Sequence, residues 1–240
     1  DDSGNWNQKV RLVWGYPLDT TIAEGTFARP IIHKIMGTHT PYALGLVKSQ
    51  LYARMASLEW APVVGSFDWT RFDAMMPKEL IRMAFSILKK FFAENSVDNS
   101  LWNKLMDYFI YTPILMPDGR VYFGKEHGIP SGSYFTGLVG SMCNLLLINS
   151  LTLEQKVKIH NIYVMGDDSI VGLESDLDLN RMGMVARRDF GMKLHPEKQR
   201  YTRYDHTLSF LSHEWKHGRA YRPVEESVVK LLYPERGYRR

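Results

Sequence analysis

The spacing of apolar residues is typical of a strand in some segments of the chain and of a helix in others. Residues 62–69 (PVVGSFDW) have the length and the β-branched content of a strand. In the next segment, MPKELIRMAFSILKKFFAE, Pro77 suits the first turn of a helix. Apolar residues then recur at helical spacing at Leu80, Ala84, Ile87, Leu88 and Phe91. The pattern therefore predicts a strand followed by a helix.

A second apolar segment, HGIPSGSYFTGLVGSMCNLLLINS, opens with a loop rich in Gly, Pro and Ser. Its length beyond Ser131 favours a helix over a strand. Small and polar residues share one face of that helix, namely Ser133, Thr136, Gly137, Gly140, Ser141 and Asn144. This stripe predicts that another part of the molecule comes close, either a tightly packed helix or a functional segment.

Two short apolar runs flank a glycine and two aspartates in NIYVMGDDSIVG, residues 161–172. The runs around Gly166, Asp167 and Asp168 predict an antiparallel hairpin with its turn at these residues. Downstream, DLNRMGMVARRDFGMKL predicts a helix that ends at Gly191, and LSFLSHEWKHGRAYRP is typical of a strand. Since no repeat or long linker interrupts the chain, the pattern predicts one continuous α+β unit.

Composition narrows the class of protein. The 240 residues are 45% hydrophobic and 12% aromatic, which is enough for a packed core. The single cysteine, Cys143, excludes a disulfide framework and favours a reducing compartment. A formal net charge of +4 is a mild bias toward polyanionic partners. We find no apolar run of about 18 residues that would span a bilayer, and expect a soluble part of a longer protein.

Acidic residues stand where two predicted strands end. Asp68 closes the strand of residues 62–69, Asp73 lies near the start of the following helix, and Asp167 lies in the hairpin turn. Each has an ordinary explanation, because Asp favours turns and the first turn of a helix. An acid at the end of a buried strand nevertheless needs a cation as partner. If Asp68 and Asp167 meet at adjacent strand ends, they form the oxygen-rich site that Mg²⁺ prefers.

Three segments in this order, FDWTRFD, GIPSGSYFTGLVGSMCN and YVMGDDSIV, resemble the first three motifs of the palm subdomain of viral RNA-dependent RNA polymerases. PSGSYFT and MGDDS, with RLVWGYP upstream, look most like the partitivirus-type polymerases of double-stranded RNA viruses. The resemblance implies an α+β polymerase palm, an antiparallel sheet packed on helices in the right-hand architecture, with fingers and thumb incomplete. It assigns residues 1–60 to the fingers, 61–205 to the palm, and 206–240 to a primer-grip hairpin and the start of the thumb.

The resemblance also implies catalytic roles. Asp68 and Asp167 would be the principal metal ligands, and Asp168 would be a supporting acid in the same metal site. RDFGMKLHPEK resembles the fourth motif of the family, whose lysine is thought to protonate the departing pyrophosphate. Lys198 lies at about the right distance from the proline, and Lys193 is its rival for the role of general acid.

For the substrate, the resemblance implies that Asp73 recognises the ribose of the incoming nucleotide. Asn144 and either Ser131 or Thr136 would assist it, with Gly132 in the same loop. A site built to hydrogen-bond a hydroxyl group disfavours a substrate that lacks it. These residues would therefore read the 2′-hydroxyl that distinguishes RNA precursors from DNA precursors.

Basic residues complete the implied set. In QKVRLVWGYP, Lys9 and Arg11 resemble the finger motif that contacts the triphosphate, and Arg29 is a second candidate for that contact. Arg71 is a candidate partner for a phosphate or a carboxylate. FLSHEWKHG resembles the fifth motif, a hairpin that grips the primer strand, or else it is a surface strand; its candidate residues are Trp215, Lys216 and His217.

The implied function is template-directed RNA synthesis by a two-metal mechanism, for viral genome replication and transcription. Mg²⁺ would be the cofactor, with Mn²⁺ as an alternative, and the partners would be RNA template and product strands, ribonucleoside triphosphates and viral capsid protein. The implied location is the host cytoplasm, within the virion. Two alternatives stay open: a reverse transcriptase, which usually carries an aromatic residue near the position of Asp73, and a non-catalytic nucleic-acid-binding viral domain.

Overall fold

The computed structural model describes residues 15–93, 96–194, 200–202, 208–216, 218–222 and 224–233. Four residues that the sequence singled out lie outside the described residues, namely Lys9, Arg11, Lys198 and His217. The predictions made for them therefore stay predictions.

Helices and strands alternate along the described chain, which confirms the α+β class. The helices are α1 (Leu18–Met36), α2 (Lys48–Ser57), α3 (Phe72–Met75), α4 (Lys78–Lys89), α5 (Asn99–Tyr111), α6 (Thr136–Glu154), α7 (Leu179–Phe190) and α8 (Val224–Leu232). The strands are β1 (Val63–Phe67), β2 (Ile114–Leu115), β3 (Val121–Tyr122), β4 (Ile159–Met165), β5 (Asp168–Leu173), β6 (Arg200–Thr202), β7 (Leu208–Phe210), β8 (His213–Lys216) and β9 (Arg219–Tyr221).

An antiparallel sheet with the strand order β4-β5-β1-β6 lies at the centre. Successive side chains of a strand point to opposite faces. On β1 and β5, Val63, Phe67 and Val171 therefore join the larger core, which the helices cover, while Val64 and Ile170 join a smaller core on the other face. Because both central strands are buried on both faces, solvent reaches them mainly at their ends.

Helix α4 follows β1, as the apolar spacing predicted. Leu80, Ala84 and Leu88 are buried against the core, and Pro77 directly precedes the first helical residue. The prediction was wrong for Phe91, which is 40% exposed. The helix ends at Lys89, and the next amides bond to carbonyls three residues back, a tighter winding that turns Phe91 away from the buried face.

Helix α6 is the long apolar helix that the sequence predicted, although it begins at Thr136, after a loop that contains Ser131. Among the residues that the structure describes, α6 alone is long and apolar enough to cross a membrane, with a mean hydropathy of 1.4. Inside the protein 61% of that window is buried. Packing in the core therefore accounts for its apolar character.

The segment after residue 207 forms a second antiparallel sheet, β7-β8-β9, on the smaller core. Trp215 is 2% exposed, and its indole nitrogen donates a hydrogen bond of 2.9 Å to the carbonyl of Phe210. Lys216 is exposed at the end of β8. The predicted hairpin is present, and its tryptophan is a core residue.

Candidate active site

The turn between β4 and β5 consists of Gly166 and Asp167, because Met165 and Asp168 are the last paired residues of the hairpin. Gly166 has a φ of 61°, a backbone conformation that glycine adopts without steric cost. Two-residue hairpin loops favour glycine at such a position, since the resulting turn matches the twist of the strands. The sequence prediction of a hairpin with its turn at this glycine is confirmed.

Part of the predicted small-residue stripe of α6 lies against this turn, whereas Ser133 was wrongly placed in the stripe, because it precedes the helix. Ser141 Oγ accepts a hydrogen bond of 2.8 Å from the backbone N–H of Gly166. Asn144 Nδ2 donates to the carbonyls of Gly166 and Asp167 at 3.0 and 2.9 Å. A Cβ atom at Gly140 would lie 3.7 Å from the Cα of Gly166. The predicted close approach is therefore that of the acidic turn.

Asn144 also joins the turn to the segment after β1. Its side chain is fully buried, and its Oδ1 accepts a hydrogen bond of 2.9 Å from the indole N–H of Trp69. Trp69 directly follows Asp68, so the amide of Asn144 bridges the two acidic segments. Both polar atoms of Asn144 thus have protein partners, and its assistance in ribose recognition stays a prediction.

The two central strands bring the acidic segments together. Phe67 pairs with Ser169, whose Oγ donates to the carbonyl of Phe67 at 3.2 Å. Asp68 follows Phe67 and Asp168 precedes Ser169, so these two acids lie at the same end of the sheet. Antiparallel pairing at an unbroken register therefore makes neighbours of carboxylates that are far apart in sequence.

The carboxylates raise one another's affinity for protons. Partial burial, and then the negative charges of Asp167 and Asp68, raise the pKa of Asp168 to about 6. Partial burial and the charge of Asp167 likewise raise the pKa of Asp73 to about 6. Both side chains still reach solvent. Four acidic residues thus form one electrostatic cluster in which a cation would relieve the repulsion.

The cluster supplies only oxygen atoms, the donors that hard cations such as Mg²⁺ and Mn²⁺ take. Within the part of the chain that the structure describes, no group of three His, Cys, Asp or Glu side chains is arranged so that it could hold a metal ion. Asp68, Asp167 and Asp168 lie at one sheet end and offer the oxygen donors of a hard divalent cation, and their role as metal ligands stays a prediction.

Asp73 is placed by a strained turn. Arg71, before the short helix α3, has a φ of 51°, a left-handed conformation that is uncommon for a residue with a side chain. The backbone carbonyl of Asp73 accepts a hydrogen bond of 2.7 Å from the N–H of Ile129. Asp73 and Ser131 then line the same cavity of about 310 Å³. The structure thus brings together two residues that the sequence predicted to share a substrate.

Glu24 on α1, which the sequence analysis missed, holds the loop on the far side of Ser131. Its carboxylate is fully buried and accepts three hydrogen bonds: from Tyr16 Oη at 3.0 Å, Ser133 Oγ at 2.8 Å and the N–H of Tyr134 at 2.7 Å. A signal existed, because Glu24 occupies the apolar stripe that α1 continues through Phe27 and Ile31.

The remaining predicted residues that the structure describes lie around this loop and the first acidic segment. Thr136 Oγ1 donates to the carbonyl of Ser133 at 2.8 Å. Arg29 Nε donates to Tyr134 Oη at 3.1 Å, and its guanidinium lies over that ring. Lys193 is exposed, and its carbonyl accepts from the N–H of Thr70 at 2.7 Å, two residues after Asp68.

Lys125 is a second buried charged group that the sequence analysis missed. Its ammonium group donates to the carbonyls of Phe109 and Ile110 at 2.9 and 2.7 Å, at the carboxyl end of α5. Burial lowers its pKa to about 8. The side chain also lines the cavity that Asp73 and Ser131 share. No local sequence pattern indicates that Lys125 is buried, because its partners are backbone atoms that only the fold brings near.

The sequence of the chain is similar to those of known proteins. The family profile described as "Viral RNA-dependent RNA polymerase" matches residues 7–236. An RNA-directed RNA polymerase of Cryptosporidium parvum virus 1 is 29% identical over 81% of this chain and 38% of its own length. The RNA-directed RNA polymerase of White clover cryptic virus 1 is 30% identical over 75% of this chain and 34% of its own length.

A solved structure is similar in fold. The RNA-dependent RNA polymerase of a human picorbirnavirus superposes with a TM-score of 0.81 at 19% identity, over 95% of this chain and 45% of that one. At this identity the similarity concerns the fold alone, and it confirms the predicted polymerase palm architecture. The chain spans less than half of the length of each of these three proteins.

Proposed function

The chain belongs to the viral RNA-dependent RNA polymerase family, and we propose that it supplies the catalytic palm of a polymerase that copies RNA templates into RNA. The observation that carries the proposal is the cluster of Asp68, Asp167, Asp168 and Asp73 at one end of the central sheet. We keep the division into finger residues 1–60, palm residues 61–205 and a primer-grip hairpin as part of this proposal.

Asp68 and Asp167 would hold divalent cations, Mg²⁺ or Mn²⁺, with Asp168 in support. Bound cations would activate the 3′-hydroxyl of the product strand and offset charge on the phosphates of the incoming nucleotide. The protein's own contribution is to hold these carboxylates as a preorganised anionic surface. Ser141, Asn144 and their neighbours do this by fixing the backbone of the turn, so little reorganisation accompanies substrate binding.

Asp73 would accept a hydrogen bond from the ribose of the incoming nucleotide. Ser131 is the favoured helper, because it is exposed beside the cavity that it shares with Asp73. Thr136 is the weaker choice, since its hydroxyl proton already goes to a backbone carbonyl of its own loop. Gly132 follows Ser131 at the loop tip, where the absence of a side chain leaves room for a substrate to approach.

Protonation of the leaving pyrophosphate is assigned to a lysine of the fourth motif. Lys193 lies beside the first acidic segment and reaches solvent there. Lys198, which lies outside the described residues, stays the first candidate from the motif, with Lys193 as its rival. We also propose ribonucleoside triphosphates and RNA strands as the ligands, viral capsid protein as a partner, and the virion in the host cytoplasm as the location.

The test is ribonucleotide incorporation on a short RNA template by a full-length polymerase that contains these residues, with Mg²⁺ or Mn²⁺. Asp167→Ala should abolish synthesis, a loss of at least about 10³-fold, because charge stabilisation at the reacting phosphate is lost. Asp73→Ala should lower the rate and the preference for ribose over deoxyribose. Asp107→Ala, an exposed acid on α5, is the matched control and should resemble the wild type.

Three outcomes would contradict the proposal. Incorporation that does not depend on Asp167 would exclude the carboxylate cluster as the reaction centre. An intact, folded polymerase without incorporation under any divalent cation would favour the non-catalytic nucleic-acid-binding alternative. A preference of the wild type for deoxyribonucleotides over ribonucleotides would instead favour the reverse transcriptase.

A further inference from the structure

The loop that carries Ser131 and Gly132 has two anchors. On one side the N–H of Ile129 donates to the carbonyl of Asp73 at 2.7 Å, and the N–H of Gly128 donates to the carbonyl of Met76 at 2.7 Å. These bonds tie the start of the loop to the residues that present Asp73. Pro130, Ser131 and Gly132 come next in the chain, before the second anchor begins.

Glu24 is that second anchor. Its Oε2 accepts from both Ser133 Oγ and the N–H of Tyr134, while Oε1 accepts from Tyr16 Oη. Ser133 Oγ in turn accepts from the N–H of Phe135 at 3.1 Å. A buried carboxylate without such donors would cost several kcal/mol, so the loop and Glu24 require each other. Between the two anchors, the carbonyl of Pro130 accepts from Thr136 Oγ1, so the position of the tip is set from both ends.

The geometry points to Glu24 as a positioning residue that sets the distance between Ser131 and Asp73 and thereby the selectivity for ribose. The inference rests on the proposed polymerase function. Glu24 itself touches no substrate in this proposal, because it is fully buried beneath the loop. Tyr16 donates to the same carboxylate and ties the start of the described chain to this anchor.

Steady-state incorporation by the full-length polymerase separates positioning from a merely structural role. Glu24→Ala should raise the KM for a ribonucleotide about tenfold and lower the ribose-to-deoxyribose preference about tenfold, with kcat changed less than about threefold. Glu24→Gln keeps the shape but replaces one acceptor oxygen with an amide nitrogen, so it should give an intermediate effect. Tyr16→Phe removes a single hydrogen bond and should raise KM about threefold.

Glu174→Gln is the matched control, an exposed acid that directly follows β5 and should leave KM and selectivity unchanged. A structural role alone would lower kcat through the folded fraction and leave KM and selectivity intact. A double-variant cycle adds a direct readout. Glu24→Ala in an Asp73→Ala background should cause no further loss of selectivity, because the two residues act on the same contact.

Amide hydrogen exchange tests the anchor without any catalysis. In Glu24→Gln, exchange in the peptide that covers residues 130–135 should accelerate about tenfold, while exchange in α4 and α5 stays as in the wild type. If the wild type makes no RNA, the proposed function fails. The exchange result still shows whether Glu24 anchors the loop. If the wild type is active but Glu24→Gln and Glu174→Gln share the same KM, selectivity and exchange, the inference about Glu24 is overturned alone.

Discussion

The acidic turn at residues 166–168 and the loop at residues 130–134 flank the same site and handle charge in opposite ways. In the turn, carboxylates stand at the surface and neutral groups hold the backbone. In the loop, a buried carboxylate holds the backbone and a hydroxyl stands at the surface. The turn therefore presents its charge outward, where the proposed ligands are cations, whereas the loop keeps its charge inward and presents an uncharged hydroxyl.

The two regions also differ in how far the protein offsets the cost of burying their carboxylates. Three donors within the protein offset part of the cost of burying Glu24, although desolvation still raises the pKa of its carboxyl group above the ordinary value. The carboxylates of Asp73 and Asp168 have no comparable compensation, and each has its pKa raised to about 6. The loop is therefore complete in the protein alone, whereas the turn stores repulsion that a bound cation would relieve.

The largest expected effect on stability comes from removing Asn144, the uncharged side chain that holds the backbone of the turn. Asn144→Ala removes the donors to Gly166 and Asp167 and leaves the indole N–H of Trp69 buried without an acceptor. We expect the free energy of unfolding to fall by about 3 kcal/mol, measured by urea denaturation. Asn149→Ala on the exposed side of the same helix is the control and should cost less than about 1 kcal/mol. Equal losses would mean that the turn does not depend on Asn144.

A smaller effect should follow from Trp69→Phe. The substitution keeps most of the buried ring but removes the hydrogen bond to Asn144 Oδ1. We expect a loss of about 2 kcal/mol in the free energy of unfolding, because one buried acceptor loses its donor and a small cavity forms. Trp60, which is 88% exposed, provides the control Trp60→Phe. A loss no larger than that of the control would show that the hydrogen bond of Trp69 does not stabilise the turn.

The smallest effect has the opposite sign and depends on pH. The folded state raises the pKa of Asp168 from 3.8 to about 6, so it holds that proton more tightly than the unfolded chain does. The tighter binding of this proton stabilises the folded state fully below about pH 4, and the stabilisation is lost as the pH rises through 6. In EDTA at pH 7, Asp168→Asn should therefore be more stable than the wild type by about 1 kcal/mol, a small value because the side chain reaches solvent.

At pH 4 the Asp168→Asn variant and the wild type should be equally stable. Equal stability at this pH distinguishes relief of the repulsion between carboxylates from a gain in stability at every pH. Asp107→Asn on α5 carries the same chemical change on an exposed helix and should show no comparable gain at pH 7. Urea denaturation between pH 4 and pH 7.5 measures all three proteins. A variant that is less stable than the wild type at pH 7 would contradict the stored repulsion.

Local patterns in the sequence predicted much of this arrangement. Length and β-branched content predicted β1, helical spacing predicted α4, and the length of an apolar segment predicted α6. The glycine before two aspartates, between two apolar runs, predicted the turn of the β4–β5 hairpin. The stripe on α6 predicted a close neighbour, which is the turn itself. These features depend on residues that are near in sequence, where period and turn chemistry act directly.

Contacts between distant segments were beyond such patterns. Nothing near Trp69 indicates that its indole bonds to Asn144, and nothing near Lys125 indicates that it binds carbonyls at the end of α5. Glu24 could have been noticed as a charge within an apolar stripe, but its partners Ser133 and Tyr134 could not. The end of α4 was also beyond prediction, because the tightening that exposes Phe91 is a property of backbone bonding.

The pairing of β1 with β5 joins residues that are 102 positions apart, as in the contact between Phe67 and Ser169. Closing so long a stretch of chain is slow compared with forming a helix or a hairpin. The β4–β5 hairpin and its turn can form early from local contacts, but Asp68 joins the turn only when the central strands pair. We therefore expect the acidic cluster to form late in folding, so that an incompletely folded chain would carry the residues of the site without the site.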